Sequence, residues 1–499
     1  MSWRMNGESH LIGWTLSQLR CSIGFAGIGM ATVISWLGLI GGLPAQEVDC
    51  FVSAKNGERM ALKGPLAFAE ILAKHAPRFE IDENMPYQTI SGFGASFLEA
   101  GMLCLNDLDA NARDDVLRAL FDVDSGAGFS VMKTVIGGTD FMSAGPWFTY
   151  NNHSGDGMME HFSISRDLAD EGQVAFIRSA RRHGSFILQA TMDYPPDWML
   201  IDAEKNQDID PKNFDALSRY YLRYVREYEK QGIHIDYLSP FNEPSIYTKI
   251  PWWKVRDLIK GHLGPLFEKE LVRTRLMLPE APNRRNAWEN QPVVMDDAAA
   301  RKYISVMPYH GYNEGGFEQI AALAKRYPDV PLWMTELCHG YVVKTPREPP
   351  LPRRDFADGD HWGNIIFSDI EAGASAWIYW NMILDEKGGP WLVSPIHGNP
   401  DENVQQPLVI IDRQTKQVTY TGAYWYLAHF GRFVRPGAVR LATSGTVKGV
   451  RCLSFRHPDG GMVAQLLNSG AAEVEVSIGL SGKSLSLSLE PNSITTCLW

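Results

Sequence analysis

Short apolar runs alternate along most of the chain with longer stretches in which apolar residues recur every three or four positions. The runs are SGFGASF (91–97), FSVMKTVIG (129–137), SFILQATMD (185–193), IDYLSPFNE (235–243), TRLMLPEAP (274–282), ISVMPYHGY (304–312), VPLWMTELC (330–338) and ASAWIYWNM (374–382). Their length and their content of β-branched and aromatic residues predict strands. The stretches between them predict helices. DLDANARDDVLRALFD (107–122) is one, with Asp107 as the expected N-cap, and NFDALSRYYLRYVREYEKQG (213–232) is another, stopping at Gly232. Eight strand–helix units across residues 90–436 predict a (β/α)8 TIM barrel in the α/β class. A doubly wound sheet would open on a Gly-rich first turn, and none is present.

The period changes after GAYWYLAHFGRFVRPG (422–437), which reads as the last barrel helix. From 437 to 499 apolar and polar residues alternate singly, with PDGG and SG as turn signals. That pattern predicts an appended antiparallel β-sandwich. Residues 47–89, including RFEIDE (78–83), are expected to contribute further strands to it.

A parallel barrel builds its active site at the C-terminal ends of the strands. The polar residues at or just beyond the ends of these runs are therefore the candidates: Asp140, Asp193, Glu243, Glu280, His310, Tyr312, Glu336 and Asn381. Glu243 and Glu336 close the fourth and seventh runs, which lie on opposite sides of a barrel mouth. Two facing carboxyl groups are what glycoside hydrolysis needs. One protonates the leaving oxygen and the other deals with the anomeric carbon. A gap of about 5–5.5 Å gives a covalent intermediate and retention, and about 6.5–9.5 Å admits a water and gives inversion.

Composition narrows the partners. A net charge of −11 argues against nucleic acid as a partner, which would demand a basic face. Aromatic residues make up 11% of the chain, including fifteen Trp, enough for some to stack on sugar rings. No CxxC or His-rich spacing suggests a metal site, and two carboxyl groups can do the chemistry without a metal or organic cofactor.

The N-terminal 46 residues differ from the rest. Arg4 and Arg20 precede the uncharged run SIGFAGIGMATVISWLGLIGGLPAQ (22–46). It reads as a signal peptide cleaved after Ala45. Its length also suits a retained anchor, which would associate the N-terminus with a membrane, and a buried helix is the third option. With a leader or an anchor, the catalytic part is expected to be exported: periplasmic, extracellular or held outside the membrane. Of six Cys, Cys21 falls in this segment; Cys452 and Cys497 share the C-terminal region and could pair.

FNEPS (241–245), TELC (335–338), WIYWNMILDEKGGP (377–390) and LAHFGRFVRPGA (427–438) resemble glycoside hydrolase family 30, which includes the glucosylceramidases. The resemblance runs from TISGFGASF to YLAHFGRFVRPGAVR. It implies a retaining β-glycosidase with Glu243 as acid/base and Glu336 as nucleophile. It further implies Tyr312 beside the nucleophile, Asn242 on the sugar 2-hydroxyl, and Asp140 on hydroxyls of the terminal sugar. Trp380 and Asn381 would floor the pocket, with His310 lining it. The chain departs from the glucosylceramidase-like pattern at three places. Lys133 stands where relatives carry an Arg, Asp193 where they carry a Trp (Trp198 is kept), and Gly311 where a Trp separates the His and Tyr. These changes weaken the implication of lipid-linked glucose as substrate. Trp252 and Trp253 could supply replacement stacking or simply pack under a loop.

The function expected is therefore retaining β-glycoside hydrolysis on a carbohydrate or glycoconjugate, β-glucosidase- or glucosylceramidase-like. Cleavage of β-1,6-galactan, β-1,6-glucan or xylose-containing glycans is the alternative within the same chemistry. A catalytically silent carbohydrate-binding protein is the alternative of another class, and a metal-dependent hydrolase using His310, His339 and Glu336 ranks below it.

Overall fold

The computed structural model describes residues 47–70, 78–145, 147–203, 207–244, 246, 248–313, 315–341, 351–390 and 404–499. The expected leader lies outside the described residues. All eight predicted strands form. They are β1 (Gly92–Ser96), β2 (Val131–Val135), β3 (Ile187–Thr191), β4 (Tyr237–Ser239), β5 (Arg275–Met277), β6 (Ile304–His310), β7 (Leu332–Glu336) and β8 (Ala374–Asn381). They pair in parallel and in sequence, and β8 pairs with β1 to close the barrel. β4 and β5 are much shorter than their apolar runs. Pro240 and Pro279 follow them closely, and proline has no N–H to donate to a neighbouring strand.

Period-two alternation sorts the barrel interior into layers. At the bottom, Val131, Tyr237, Met277, Val306, Trp333, Ala376 and Ile378 form a separate apolar cluster. Two residues further along β2, β7 and β8 the same face carries Lys133, Thr335 and Trp380, and on β3 Ile187 is followed by Gln189. The barrel therefore changes from apolar to polar about one side-chain layer below its mouth.

Helix Ala110–Phe121 begins one turn signal later than expected. Its N-cap is Asp109, whose Oδ1 accepts from the backbone N–H groups of Asn111 and Ala112, each at 2.9 Å. Asp107 instead ends the preceding helix, Glu99–Asn106, and pairs with Arg413 at 2.5 Å. Helix Phe214–Lys230 turns Phe214, Leu217, Tyr221, Tyr224 and Tyr228 to the core. Gly232 then follows in the left-handed region, at φ 74°, where glycine stops a helix without strain.

Helix Gly422–Phe433 is the joint between the two layers. Ten of its twelve residues are buried, because the barrel covers one side and the sandwich the other. Leu453, Phe455, Val463, Leu467 and Ile494 of the C-terminal strands belong to the same continuous core as the barrel. Those strands form one hydrogen-bonded series with strands from the start of the described chain. Glu47–Ala54 pairs with Ser493–Leu498, and Phe79–Thr89 pairs with Val439–Gly445. A second core of Val48, Phe79, Ile81, Leu441, Ile478 and Leu485 fills the sandwich.

Strand pairing also decides which thiols meet. Cys497 stands opposite Cys50, with Sγ atoms 2.8 Å apart, and the two remain free thiols. The partner of Cys497 is therefore Cys50, 447 residues away, and not Cys452. Among the described residues no helix is long and apolar enough to cross a membrane.

Candidate active site

β4 ends at Ser239, and the chain runs on through Pro240 and Phe241 to Asn242 and Glu243. Asn242 makes a single parallel bridge to Glu280, and the Glu243 N–H donates to the Glu280 carbonyl at 2.9 Å. At Glu243 the backbone turns left-handed, with φ 45°. For a residue with a side chain that conformation costs about 1–2 kcal/mol, and such strain is typical of functional sites. The turn takes the chain out of the strand direction at the residue that faces β7. Glu336, by contrast, is the last residue of a regular strand.

An oxygen of Glu243, a ring nitrogen of His310 and an oxygen of Glu336 all lie within 4.8 Å of one another. His310 Nδ1 is 2.7 Å from Glu243 Oε1, and Nε2 is 3.0 Å from Glu280 Oε2. Lys133 Nζ donates to Glu336 Oε2 at 2.7 Å, to Glu280 Oε2 at 2.9 Å and to Asn242 Oδ1 at 3.3 Å. Its ammonium also sits 4.9 Å from the centre of the Trp380 ring. Tyr312 donates its hydroxyl to Glu336 Oε1 at 3.0 Å. Both oxygens of Glu336 thus receive a donor. The Lys133 ammonium bridges Glu336 and Glu280.

The protonation states follow from burial and partners. Lys133, Glu280 and His310 are fully buried. Burial opposes a charge on His310, but the field of Glu336 and the hydrogen bonds to Glu243 and Glu280 outweigh it and push the ring up to about 9. With both nitrogens protonated, His310 donates to both carboxyl groups. Burial likewise opposes the Lys133 ammonium, and Glu280 followed by Glu336 raise it above its usual range. Burial alone would raise Glu280, yet Lys133 and His310 hold it down at about 2. Burial raises Glu243, His310 works the other way, and Glu336 adds to the rise. Of the two facing carboxyl groups, Glu243 is thus the one whose proton is held more firmly than that of a free carboxyl, beside the ion-paired Glu336.

The remaining sequence candidates fall into two groups. Asp193, Asp140 and Asn381 are buried at the same mouth. Asp193 is driven well above the usual carboxylate range by burial, against Lys133 and with Asp140. Its Oδ1, and Asn381 Oδ1, have no hydrogen-bond partner in the protein. Asn381 Nδ2 donates to Gln405, which reaches in from beyond β8. Trp198 belongs to the second group: its indole N–H donates to the Asn151 carbonyl at 3.0 Å, tying two loops together. Trp252 is buried in the main core and Trp253 stands half-exposed on the next helix, so at most Trp253 is free to stack. At Gly311 a Cβ would come within 2.6 Å of Leu337 Cδ2. Leu337 has filled the space a larger side chain would take.

Gln189 and Thr335 are members of the cluster that the sequence candidates do not include. Glu280 was visible only as a polar strand end, yet it is the hub: Lys133, His310, Thr335 and Gln189 all donate to it. The available signal was the period-two step from the apolar layer to Gln189 and Thr335.

Residues 90–434 match the glycosyl hydrolase family 30 TIM-barrel domain, and residues 437–497 match the family 30 beta sandwich domain. A putative glucosylceramidase 4 of Caenorhabditis elegans is 26% identical, over 94% of this chain and 92% of its own length. An endo-1,6-beta-D-glucanase of Neurospora crassa is 22% identical, over 82% of this chain and 85% of its own. The crystal structure of SrfJ from Salmonella typhimurium has the same fold, with a TM-score of 0.82 at 21% identity, covering 91% of this chain and 99% of that one. With a barrel, a sandwich and a family match that spans both, this chain belongs to glycoside hydrolase family 30 and is a glycoside hydrolase.

Proposed function

We propose that the enzyme is a retaining β-glycosidase in which Glu336 is the nucleophile and Glu243 the acid/base. The observation that carries this reading is the approach of the two carboxyl groups to within 4.8 Å, too close for the water-filled gap of an inverting enzyme. In the first step an oxygen of Glu336 attacks the anomeric carbon. The bond to the leaving oxygen breaks, and that oxygen takes the proton of Glu243. In the second step Glu243, now a carboxylate, removes a proton from water. The water oxygen attacks the same carbon, the bond to Glu336 breaks, and Glu243 is protonated again. Two inversions return the original configuration.

The roles of the neighbours follow from their contacts. Lys133 and Tyr312 fix the two oxygens of Glu336. His310 donates to Oε1 of Glu243, which leaves Oε2 for the proton. Asn242, Asp140, Asp193, Trp380 and Asn381 bind the sugar; the unpaired oxygens of Asp193 and Asn381 have capacity for its hydroxyls. The substrate read first is a β-glucoside, glucose being the sugar that the names of both curated relatives have in common. The departures at Lys133, Asp193 and Gly311 favour a second reading, in which the substrate is a glycan such as β-1,6-glucan, β-1,6-galactan or a xylose-containing polymer. The apolar leader supports an exported enzyme, which a membrane would retain only if the leader is not cut.

Aryl β-glucoside, β-galactoside and β-xyloside, followed by glucosylceramide and the polymers, separate the two readings. Glu243→Ala should accumulate a glycosyl-enzyme from a 2,4-dinitrophenyl substrate, visible by mass spectrometry on the peptide containing Glu336. Near-normal turnover in Glu336→Gln would sink the assignment. Carbohydrate binding without release of reducing sugar would point instead to a silent binding protein.

A further inference from the structure

Glu280 is deeply committed to other groups. Its backbone is stapled to the segment that carries the acid/base, on either side of Asn242: its N–H donates to the Phe241 carbonyl and its carbonyl accepts from the Glu243 N–H, each at 2.9 Å. Its carboxylate has no access to solvent, and so none to a sugar. Oε2 accepts from Lys133 Nζ at 2.9 Å, Thr335 Oγ1 at 2.7 Å and His310 Nε2 at 3.0 Å, while Oε1 accepts from Gln189 Nε2 at 3.2 Å. Four barrel strands therefore converge on this one buried group.

The two cations it binds are the two that touch the catalytic carboxylates. Lys133 reaches on to Glu336 and His310 reaches on to Glu243. Within this hydrogen-bonded set, Lys133 and His310 carry two positive charges and Glu280 and Glu336 two negative ones. The set is neutral when Glu243 holds its proton. The other groups facing it are Asp193 and Asp140 from beyond β3 and β2, Tyr312 beyond β6 and Cys338 beyond β7. Asp193, Tyr312 and Cys338 are all pushed toward their uncharged forms by burial, and Asp140 acts on Asp193 and Cys338.

We propose that Glu280 is a positioning residue that couples the two catalytic carboxyl groups: it holds Lys133 against Glu336 and the doubly protonated His310 against Glu243, and its fixed charge balances those cations so that Glu243 remains the proton donor. Removing that charge leaves one positive charge in surplus. The set then returns to neutrality by giving up a proton from His310 or Glu243, at a lower pH than before. The proposal rests on Glu243 being the acid.

The test is Glu280→Gln in the full chain, assayed on two aryl glycosides of the same sugar. Phenol as leaving group needs the proton, whereas 2,4-dinitrophenol leaves without it. The expected result is a loss of ~10²–10³ in kcat/KM for the phenyl substrate, the size of general acid catalysis, with less than ~10-fold loss for the dinitrophenyl one. The alkaline limb of the phenyl profile should move down by about one pH unit or more, as removal of a close opposite charge requires. Glu280→Asp, which keeps the charge, should keep the limb near its original place. Equal losses on both substrates with an unmoved limb would overturn the proposal and leave Glu280 a merely structural group. The wild-type chain gives a check that needs no variant to fold: at pH 7 the ¹⁵N resonances of His310 must be those of a doubly protonated ring. A neutral ring there also overturns it. If wild-type hydrolyses no glycoside, or Glu336→Gln remains active, the underlying glycosidase assignment has failed, and that outcome is distinct from the others.

Discussion

His310 at the barrel mouth and His429 beneath the sandwich are both fully buried, and both are bonded through each ring nitrogen, yet they hold opposite charge states. His310 lies between the carboxyl groups of Glu243 and Glu280 and is pushed up to about 9. His429 lies between two hydroxyls, with Nδ1 2.7 Å from Thr496 Oγ1 and Nε2 3.0 Å from Ser53 Oγ. Burial, with Arg432 adding to it, pushes His429 down to about 3. Burial acts in the same direction on both rings, so it cannot be the deciding effect. The charge of the partners decides. The barrel holds its buried histidine as a cation among carboxyl groups. The joint with the sandwich uses its own as a neutral peg, donating with one nitrogen and accepting with the other.

The largest effect should come from removing the charged ring. His310→Phe is expected to lower kcat/KM on an unactivated aryl glycoside by ~10²–10⁴, since it strips the donor from Glu243 and a partner from Glu280. Circular dichroism should remain that of the folded chain. A change smaller than tenfold would mean that His310 is only filler. Removing the neutral ring should do the reverse. His429→Leu leaves hydroxyls of Ser53 and Thr496 without one of their partners, at a cost of about 1–3 kcal/mol in urea unfolding. Its kcat should match wild-type, because no atom of His429 touches the barrel mouth cluster.

A pH series sharpens the contrast further, because the two rings contribute with opposite sign. For His310 the folded value of about 9 lies above the unfolded 6.5. Its contribution to stability is fully present below pH 6.5 and is lost as pH rises through 9. For His429 the folded value of about 3 lies below 6.5. Stability is intact above pH 6.5 and falls as pH drops toward 3, since the unfolded chain takes up a proton that the folded chain refuses. Histidine ¹⁵N spectra test this directly: one ring should stay doubly protonated to about pH 9, and the other should stay neutral well below pH 6.

How much of this was legible beforehand differs between the two regions. The eight strands could be read because each apolar run is flanked by an amphipathic helix, and that local signal survives without tertiary knowledge. The placing of Glu243 and Glu336 at one mouth could be read because barrel geometry fixes where strand ends lie. Glu280 could not be ranked, since its importance lies in the convergence of Lys133, Gln189, His310 and Thr335 from four other strands. The N-cap slipped from Asp107 to Asp109 because both acids precede the same helix and only the backbone turn distinguishes them. The His429 peg and the Cys50–Cys497 contact depend on the first and last described strands lying side by side, a pairing across more than four hundred residues. No local pattern carries that. Trp198, kept from the family pattern, ties two loops together through its N–H on the Asn151 carbonyl, a contact no local pattern shows.

The comparison also makes a finer distinction between charge and shape, and Lys133 is where it can be tested. A neutral peg depends on geometry, because hydroxyl and imidazole must meet at hydrogen-bond distance. A charge cluster depends first on the sign of the charge and only then on the shape of the group. Lys133 is a point charge whose ammonium reaches Glu280, Glu336 and Asn242 at once, against the face of Trp380. A guidinium-bearing side chain at the same site offers a planar fork with more donors but greater width. Lys133→Arg should therefore keep kcat/KM within about tenfold of wild-type, the cost being one of fit. Lys133→Met has similar length and no charge. It leaves Glu280 and Glu336 as buried neighbours with the cation between them gone, and it should lose ~10²–10³ or more, in line with the penalty for breaking a buried ion pair. If Arg and Met are equally damaging, shape governs the barrel cluster as it governs the peg, and the distinction drawn from the two histidines does not extend to the rest of the site.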